Sequence, residues 1–219
     1  MVNMKKIVLL GFAVLILFIL SNKTVFSQEV KIGNQIWSSE NLKVTKFRNG
    51  DNIPIAKTKE EWEKASYVDK KPIMTYLRRD PESGKKYGVL YNGYAVMDPR
   101  GLAPKGWHIA SKEEWSKMIK FLGGDTIARK KILSTSGWDD CFGFEKGSNS
   151  SGFNALPGGS IDWQGSFIYP EKEGNWWTST PQVGSTSWGY SRNIDNCGIR
   201  INTYTSSFSN GYYVRCVKD

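Results

Sequence analysis

Hydrophobic positions in this 219-residue chain change their period along its length. From Ile7 to Leu20 they form an almost unbroken run, with Lys5 and Lys6 just ahead of it. The middle of the chain repeats instead at helical spacing. Trp115, Met118, Ile119 and Leu122 share one helix face, and Ser111 precedes them with Glu114 three residues on. That pair is a capping box, in which each side chain satisfies a backbone amide that the first helical turn leaves without a partner. Gly123-Gly124 supplies the stop. The spacing predicts a main helix over 111–122 and a short second helix over 126–133. Another candidate covers 58–65, where Thr58 can cap, Glu61 sits three residues on, and Trp62 and Ala65 share a face.

Elsewhere, short aromatic and β-branched runs between Gly, Asn and Ser turns read as strands. The segments 32–37 and 42–47 look like a first hairpin pair, followed by the turn Arg48-Asn49-Gly50-Asp51. Residues 87–97 read as one strand turning at Asp98-Pro99-Arg100-Gly101. After Ser134 only short strands, corners and loops are expected. The closing Tyr-Val-Arg-Cys-Val run should pair inside a sheet, because a terminus is ordered only when tied down. The elements imply one α+β domain, with its helices early and its strands late.

The first apolar run belongs outside that domain. A basic start, about 14 apolar residues and small or modest side chains at Val25 and Ser27 have the layout of a secretory signal peptide, cleaved after Ser27. The run is short of the roughly 20 residues that span a bilayer. The expected organisation is therefore a signal peptide over 1–27 and one exported domain over 28–219, with no stable membrane span after cleavage. About 190 residues are ample for a single core.

The formal charge of +9 falls to +6 once Lys5, Lys6 and Lys23 are removed. The excess is diffuse: Lys70-Lys71, Arg78-Arg79, Lys85-Lys86 and Arg129-Lys130-Lys131 are separated by acids and turns. A nucleic-acid protein gathers such charge on one helix or stripe, so no nucleic-acid partner is expected. A dispersed basic surface suits solvation and contact with acidic polymers.

Candidate chemistry is sparse. His108 is the only imidazole, which argues against Cys/His zinc sites and His-based triads; a turn hydrogen bond is its simplest use. Gly147-Ser148-Asn149-Ser150-Ser151-Gly152 lacks the spacing of a nucleophile elbow. The acids Asp139, Asp162, Glu171 and Glu173 are too generic to nominate as a hydrolytic pair, whose separation decides its chemistry. Asp139, Asp140, Asp195 and Asn196 fall in predicted loops and could together hold calcium, although ordinary turn formation accounts for them too. Export permits disulfides, and three cysteines leave one over. Cys197 and Cys216 lie on strand-like runs joined by a polar turn and could be hairpin neighbours, but connectivity stays open among Cys141, Cys197 and Cys216.

Seven runs occur in series: QIWSSENLKVTKFRNGD, YGVLYNGYAV, GLAPKGWHIASKEEW, FLGGD, SGFNALPGG, GNWWTST and GYYVRCVKD. In this order they resemble the Fibrobacter succinogenes major paralogous domain family, from about Val30 to Asp219. The family resemblance implies an exported or cell-surface bacterial protein. A helix after a Gly-Trp turn, an irregular Gly/Trp region and a final Arg-Cys strand add a looser likeness to C-type-lectin-like and formylglycine-generating folds. Two positions depart from the pattern. Ala103 stands where many relatives carry Cys; if that Cys bridges to the strand of Cys216, then Cys216 is free here or has found Cys197. Gly93 stands where Trp is common, which either loses apolar surface or opens a gap.

Aromatic residues make up 13% of the chain, including nine Trp, and this enrichment decides where a ligand is sought. Trp37, Trp107, Trp115, Trp176 and Trp177 fall in the family runs and are expected to fill the core. Trp163 lies among polar residues and glycine, as at a loop tip. Trp138, Tyr190 and Tyr204 are similar, and these four rings are the candidate ligand-binding residues. An exposed ring beside amides and carboxylates suits stacking on a sugar face. The expected function is non-catalytic binding of a glycan or cell-surface polymer, with no catalytic residues, metal or cofactor assigned. The alternatives are a thiol- or carboxylate-dependent enzyme, for which Cys197 and Cys216 near Arg192, Arg200 and Arg215 form the only plausible thiol pair, and a structural component of an envelope assembly.

Overall fold

A computed structural model describes residues 28–219. The segment 1–27, expected to be a signal peptide, lies outside the described residues. The chain opens with β1 (Glu29–Ile32) and β2 (Gln35–Ser38), an antiparallel hairpin whose turn uses Gly33 at φ 63°. The expected second strand over 42–47 does not form beyond a single bridge from Lys46 to Asn52. Its apolar residues Leu42 and Phe47 are buried nonetheless, while the Leu42 amide bonds to the carbonyl of Val214. Its apolar residues made this segment look like a strand, but its backbone bonds go singly to Val214, Val89 and the 51–53 stretch, so no ladder with one partner forms.

Helix α1 (Lys59–Glu63) starts at the Thr58 cap as expected and then widens into a π-helical turn over Lys64–Val68. After β3 (Met74–Thr75) and a 3₁₀ turn at Leu77–Arg79 comes α2 (Pro81–Tyr87), capped by Asp80. The predicted strand over 87–97 is only partly one. Its β4 portion is Leu90–Asn92, after which the Asn92 side chain accepts a bond from the Ala95 amide at 2.9 Å and starts α3 (Gly93–Val96). A side chain that caps in place overrides the strand preference of its neighbours.

Strand β5 (Trp107–Ile109) leads into α4 (Lys112–Leu122), where both capping-box bonds are made and Gly123 closes the helix at φ 109°. Helix α5 (Asp125–Ile132) follows directly. The remainder is strands and loops: β6 (Ser160–Ile161), β7 (Phe167–Ile168), β8 (Glu173–Pro181), β9 (Trp188–Asp195), β10 (Asn202–Ser207), β11 (Gly211–Val214) and β12 (Cys216–Lys218).

The chain is thus mixed α+β, with two sheets. The smaller has the order β1-β2-β12-β5, and the larger runs β10-β9-β8-β11-β4-β3, with β6 and β7 attached through β11. All pairings are antiparallel except β8 with β11. The closing run sits inside both sheets. Strand β11 lies between β8 and β4, and β12 between β2 and β5.

Two apolar clusters fill the interior. In one, Trp37, Trp115, Phe153 and Trp176 meet edge-on or tilted, with ring centroids 5.3–5.9 Å apart. Such arrangements match the positive ring edge to the negative ring face. The other gathers Tyr91, Trp177, Phe208, Val214 and Cys216. All five Trp expected in the core are buried. Arg215 is wholly buried and bonded by its guanidinium to Asn41 Oδ1, the Ser38 carbonyl and the Asn154 carbonyl at 2.8–2.9 Å. Desolvation pushes its pKa down to about 9, since no carboxylate bonds to it in compensation. Gly93 opens no gap. A side chain there would run into Phe208, whose ring occupies the space that a larger residue would need.

The cysteine pairing differs from the hairpin expectation. Cys141 is bonded to Cys197 across 56 positions, and Cys216 is a buried free thiol. Cys216 stands in β12, beyond β11, and is buried in the second core cluster, which also holds Ala103.

Candidate functional site

Side chains alternate sides along a strand, and on β8 and β9 this alternation separates two chemistries. Trp176 and Ile194 point into the core. Glu173 and Asn175 on β8, with Asn193 and Asp195 on β9, point the other way and line a groove of about 370 Å³. The strand register sets Glu173 opposite Asp195 and Asn175 opposite Asn193. Tyr204 comes from β10, Tyr212 from β11, and Asp162 from the turn between β6 and β7.

The floor is an amide network. Asn193 Nδ2 donates to Asn175 Oδ1 at 2.9 Å and to Glu173 Oε2 at 3.1 Å, and Asn175 Nδ2 donates to the same Oε2 at 3.3 Å. Asn175 and Asn193 are only 7% and 6% exposed, so the network is rigid and shielded. Tyr212 Oη donates to Ser206 Oγ and accepts from Asn210 Nδ2, each at 3.3 Å. Asp162 Oδ1 accepts from the Ser166 amide at 2.8 Å, which fixes the turn that carries it. At the rim the Tyr204 ring is 52% exposed. Burial raises the Glu173 carboxyl above its usual range. The two Asn amides pull the other way, and the charge of Asp195 adds to the rise.

The four rings singled out in the sequence do not converge. Tyr204 is in the groove. Tyr190, on the opposite strand parity from Ser191 and Asn193, faces α4 and has the Lys112 ammonium 4.0 Å from its ring centre. Trp163 follows Asp162 on the same turn, is 39% exposed, and lies 4.7 Å from the Tyr67 ring. Trp138 is half-buried; its Nε1 donates to Ser134 Oγ and to the Ala155 carbonyl. It lines a separate cleft of about 280 Å³ beside the Cys141–Cys197 bridge.

The acids considered for calcium are divided between these two places. Asp140 is paired with Lys146 at 2.8 Å, and the Asp139 carbonyl accepts from Asn196 Nδ2 at 3.3 Å. Asp195 lines the groove instead. Among the described residues no three His, Cys, Asp or Glu side chains are placed to hold a metal ion. The thiol pair does not assemble: Cys197 is bridged, and burial raises the Cys216 thiol far above its ordinary range. His108 bonds through Nδ1 to Asp219 and through Nε2 to Glu114, each at 2.7 Å, and so ties β12 to the start of α4.

Sequence reasoning passed over Asn175, Asn193 and Tyr212 and left Glu173 generic. The available signal was the two-residue alternation of polar 173 and 175 with apolar 174 and 176, repeated as 191, 193 and 195 on β9.

These features define a mixed α+β domain with a polar groove on the outer face of its longer sheet. The family model of the Fibrobacter succinogenes major domain matches residues 30–218, and the chain belongs to that family. No curated protein and no solved structure matches it.

Proposed function

We propose that this chain is an exported, non-catalytic binding domain whose sheet groove takes a saccharide unit of a glycan or cell-surface polymer. The observation that carries this reading is the juxtaposition of a held amide-carboxylate floor with an exposed tyrosine at the rim. Sugar hydroxyls donate and accept at once, so carboxylates and amides lining one groove suit them. A tyrosine ring offers an apolar face to the C–H side of a pyranose. The volume is that of a small-ligand site. The basic, apolar leader over 1–27 and the Cys141–Cys197 bridge support an oxidising destination outside the cytoplasm. The C-type-lectin-like likeness belongs to the same proposal. It is supported by α4 following the Gly106-Trp107 turn and by the irregular stretch ahead of β8.

Titration calorimetry against a panel of short oligosaccharides tests this. Tyr204→Ala is expected to weaken binding about tenfold, or roughly 1.4 kcal/mol. Trp163→Ala, on the adjoining turn, shows whether that ring extends the platform for longer chains. Absence of saccharide binding by the wild-type protein ends the reading.

A further inference from the structure

Although the chain carries a formal charge of +9, no Lys or Arg lines the groove on the outer face of β8 and β9. Three carboxylates do: Asp162, Glu173 and Asp195. Among the described residues none of the three forms an ion pair, whereas eleven pairs, two of them through His108 and most of them exposed, occur elsewhere. Arg129 approaches Asp195 from the far side, where it bonds to the carbonyls of Asp195 and Asn196, and it lines the other cleft.

The strand register makes this more than an acidic surface. Glu173 and Asp195 are direct partners across the β8–β9 ladder. Like charges placed directly opposite destabilise a sheet. The Asn175 and Asn193 amides and the charge of Arg129 behind Asp195 offset this only in part, and no cation reaches the pair from the groove side. A fold that keeps two opposed carboxylates at the floor of a concave site, with no Lys or Arg in its lining, marks a position where a ligand supplies the missing charge. Two tyrosines accompany the acids, and a cation is also attracted to the face of an aromatic ring. The Asn175 and Asn193 amides hold Glu173 in place and leave its second oxygen, Oε1, without a protein partner among the described residues.

We infer that this groove selects saccharides bearing a free ammonium group, with Glu173 and Asp195 flanking the ammonium and Tyr204 against the sugar ring. The inference rests on the groove being the saccharide site. It narrows the ligand from glycans in general to amino sugars with an unsubstituted amine. It also separates the groove from the basic remainder of the surface, which favours acidic material.

Three probes decide it by calorimetry at mildly acidic pH: a β-1,4-linked glucosamine tetramer, its fully N-acetylated form, and an oligogalacturonate of the same length. The glucosamine tetramer is expected to bind about tenfold or more tightly than the acetylated one, with a preference that shrinks as salt is raised. Glu173→Gln and Asp195→Asn should each abolish most of that preference by removing a charge, while Glu173→Gln keeps an acceptor oxygen for the Asn175 and Asn193 amides. The unliganded variants give a second readout. Relieving the opposed charges should raise the Tm by about 1–3 °C in Glu173→Gln.

Equal or tighter binding of the acetylated tetramer overturns the amine preference while leaving saccharide binding intact. Tighter binding of the galacturonate does the same. Binding of the amine probe that a chelator abolishes assigns the carboxylates to a metal ion and also overturns the inference. If no probe binds, the saccharide site and the amine preference fall together, and a Glu173→Gln protein less stable than wild type overturns the opposed-charge argument by itself.

Discussion

Replacing Gly93 by Ala adds one methyl group at a position where the backbone is outside the left-handed region, so no dihedral strain opposes it. On propensity alone the change stabilises α3 by about 1 kcal/mol. Packing reverses the sign. The added carbon would press on the Phe208 ring and stand 2.7 Å from the Phe208 Cα. Ring rotation cannot relieve a contact with backbone, and the Gly93 amide is also bonded to the Phe208 carbonyl at 2.8 Å. Gly189 confines the other end of the ring, leaving a Cβ only 2.7 Å from Phe208 Cε1. Overpacking of this kind costs about 1–3 kcal/mol. The net expectation is a loss of about 1 kcal/mol, or a Tm lower by roughly 2–4 °C for a domain of this size.

Phe208 is 3% exposed and meets Tyr94 and Trp177 edge-on, so Phe208→Ala alone should cost about 3–5 kcal/mol. In the double variant Gly93→Trp with Phe208→Ala, the indole can enter the space that the phenyl ring vacates. Urea unfolding followed by Trp fluorescence should then show the pair to be about 2 kcal/mol or more better than additive. A Gly93→Ala protein as stable as wild type, or additive energies in the cycle, would refute the view that Phe208 has taken the place of a larger residue at 93.

Cys141→Ser opens a loop of 56 positions and should lower stability by about 4 kcal/mol on chain-entropy grounds; equal unfolding midpoints for the variant and the oxidised wild type would contradict the bridge. Burial alone would lower the His108 pKa, but its bonds to Glu114 and Asp219 outweigh this and raise it above the usual 6.5. The His108 contribution is therefore fully present below that ordinary value and disappears as pH rises through the higher folded value. Unfolding free energies at acidic and alkaline pH should show this fall in wild type and not in His108→Gln. Arg215→Met removes the guanidinium donor from the Ser38 and Asn154 carbonyls, while Asn41 Oδ1 keeps the Trp176 indole, and should cost about 2–4 kcal/mol, measured by chemical denaturation.

The main helix was legible residue by residue, because a capping box, a stripe at helical spacing and a Gly stop are local signals that agree. The hydrophobic character of Trp37, Trp115, Trp176 and Trp177 likewise told of the core before any contact was known. Segment 42–47 and the stretch after Asn92 were misread because burial and β-propensity describe an environment. Whether a strand forms depends on a neighbour with free amides and carbonyls, or on a side chain that caps first.

The same distinction holds for the site. Tyr204 and Tyr190 are alike in composition and neighbourhood, yet strand parity sends one to the groove and the other against α4. Local chemistry in the chain determined which segments are helical, which rings avoid water and which family the chain resembles. Only the tertiary structure decided that Glu173 faces Asp195, that Asn175 and Asn193 join beneath them, and that Cys141 rather than Cys216 meets Cys197. Those are relations between residues far apart in the chain, set by the register of strands and the closing of loops.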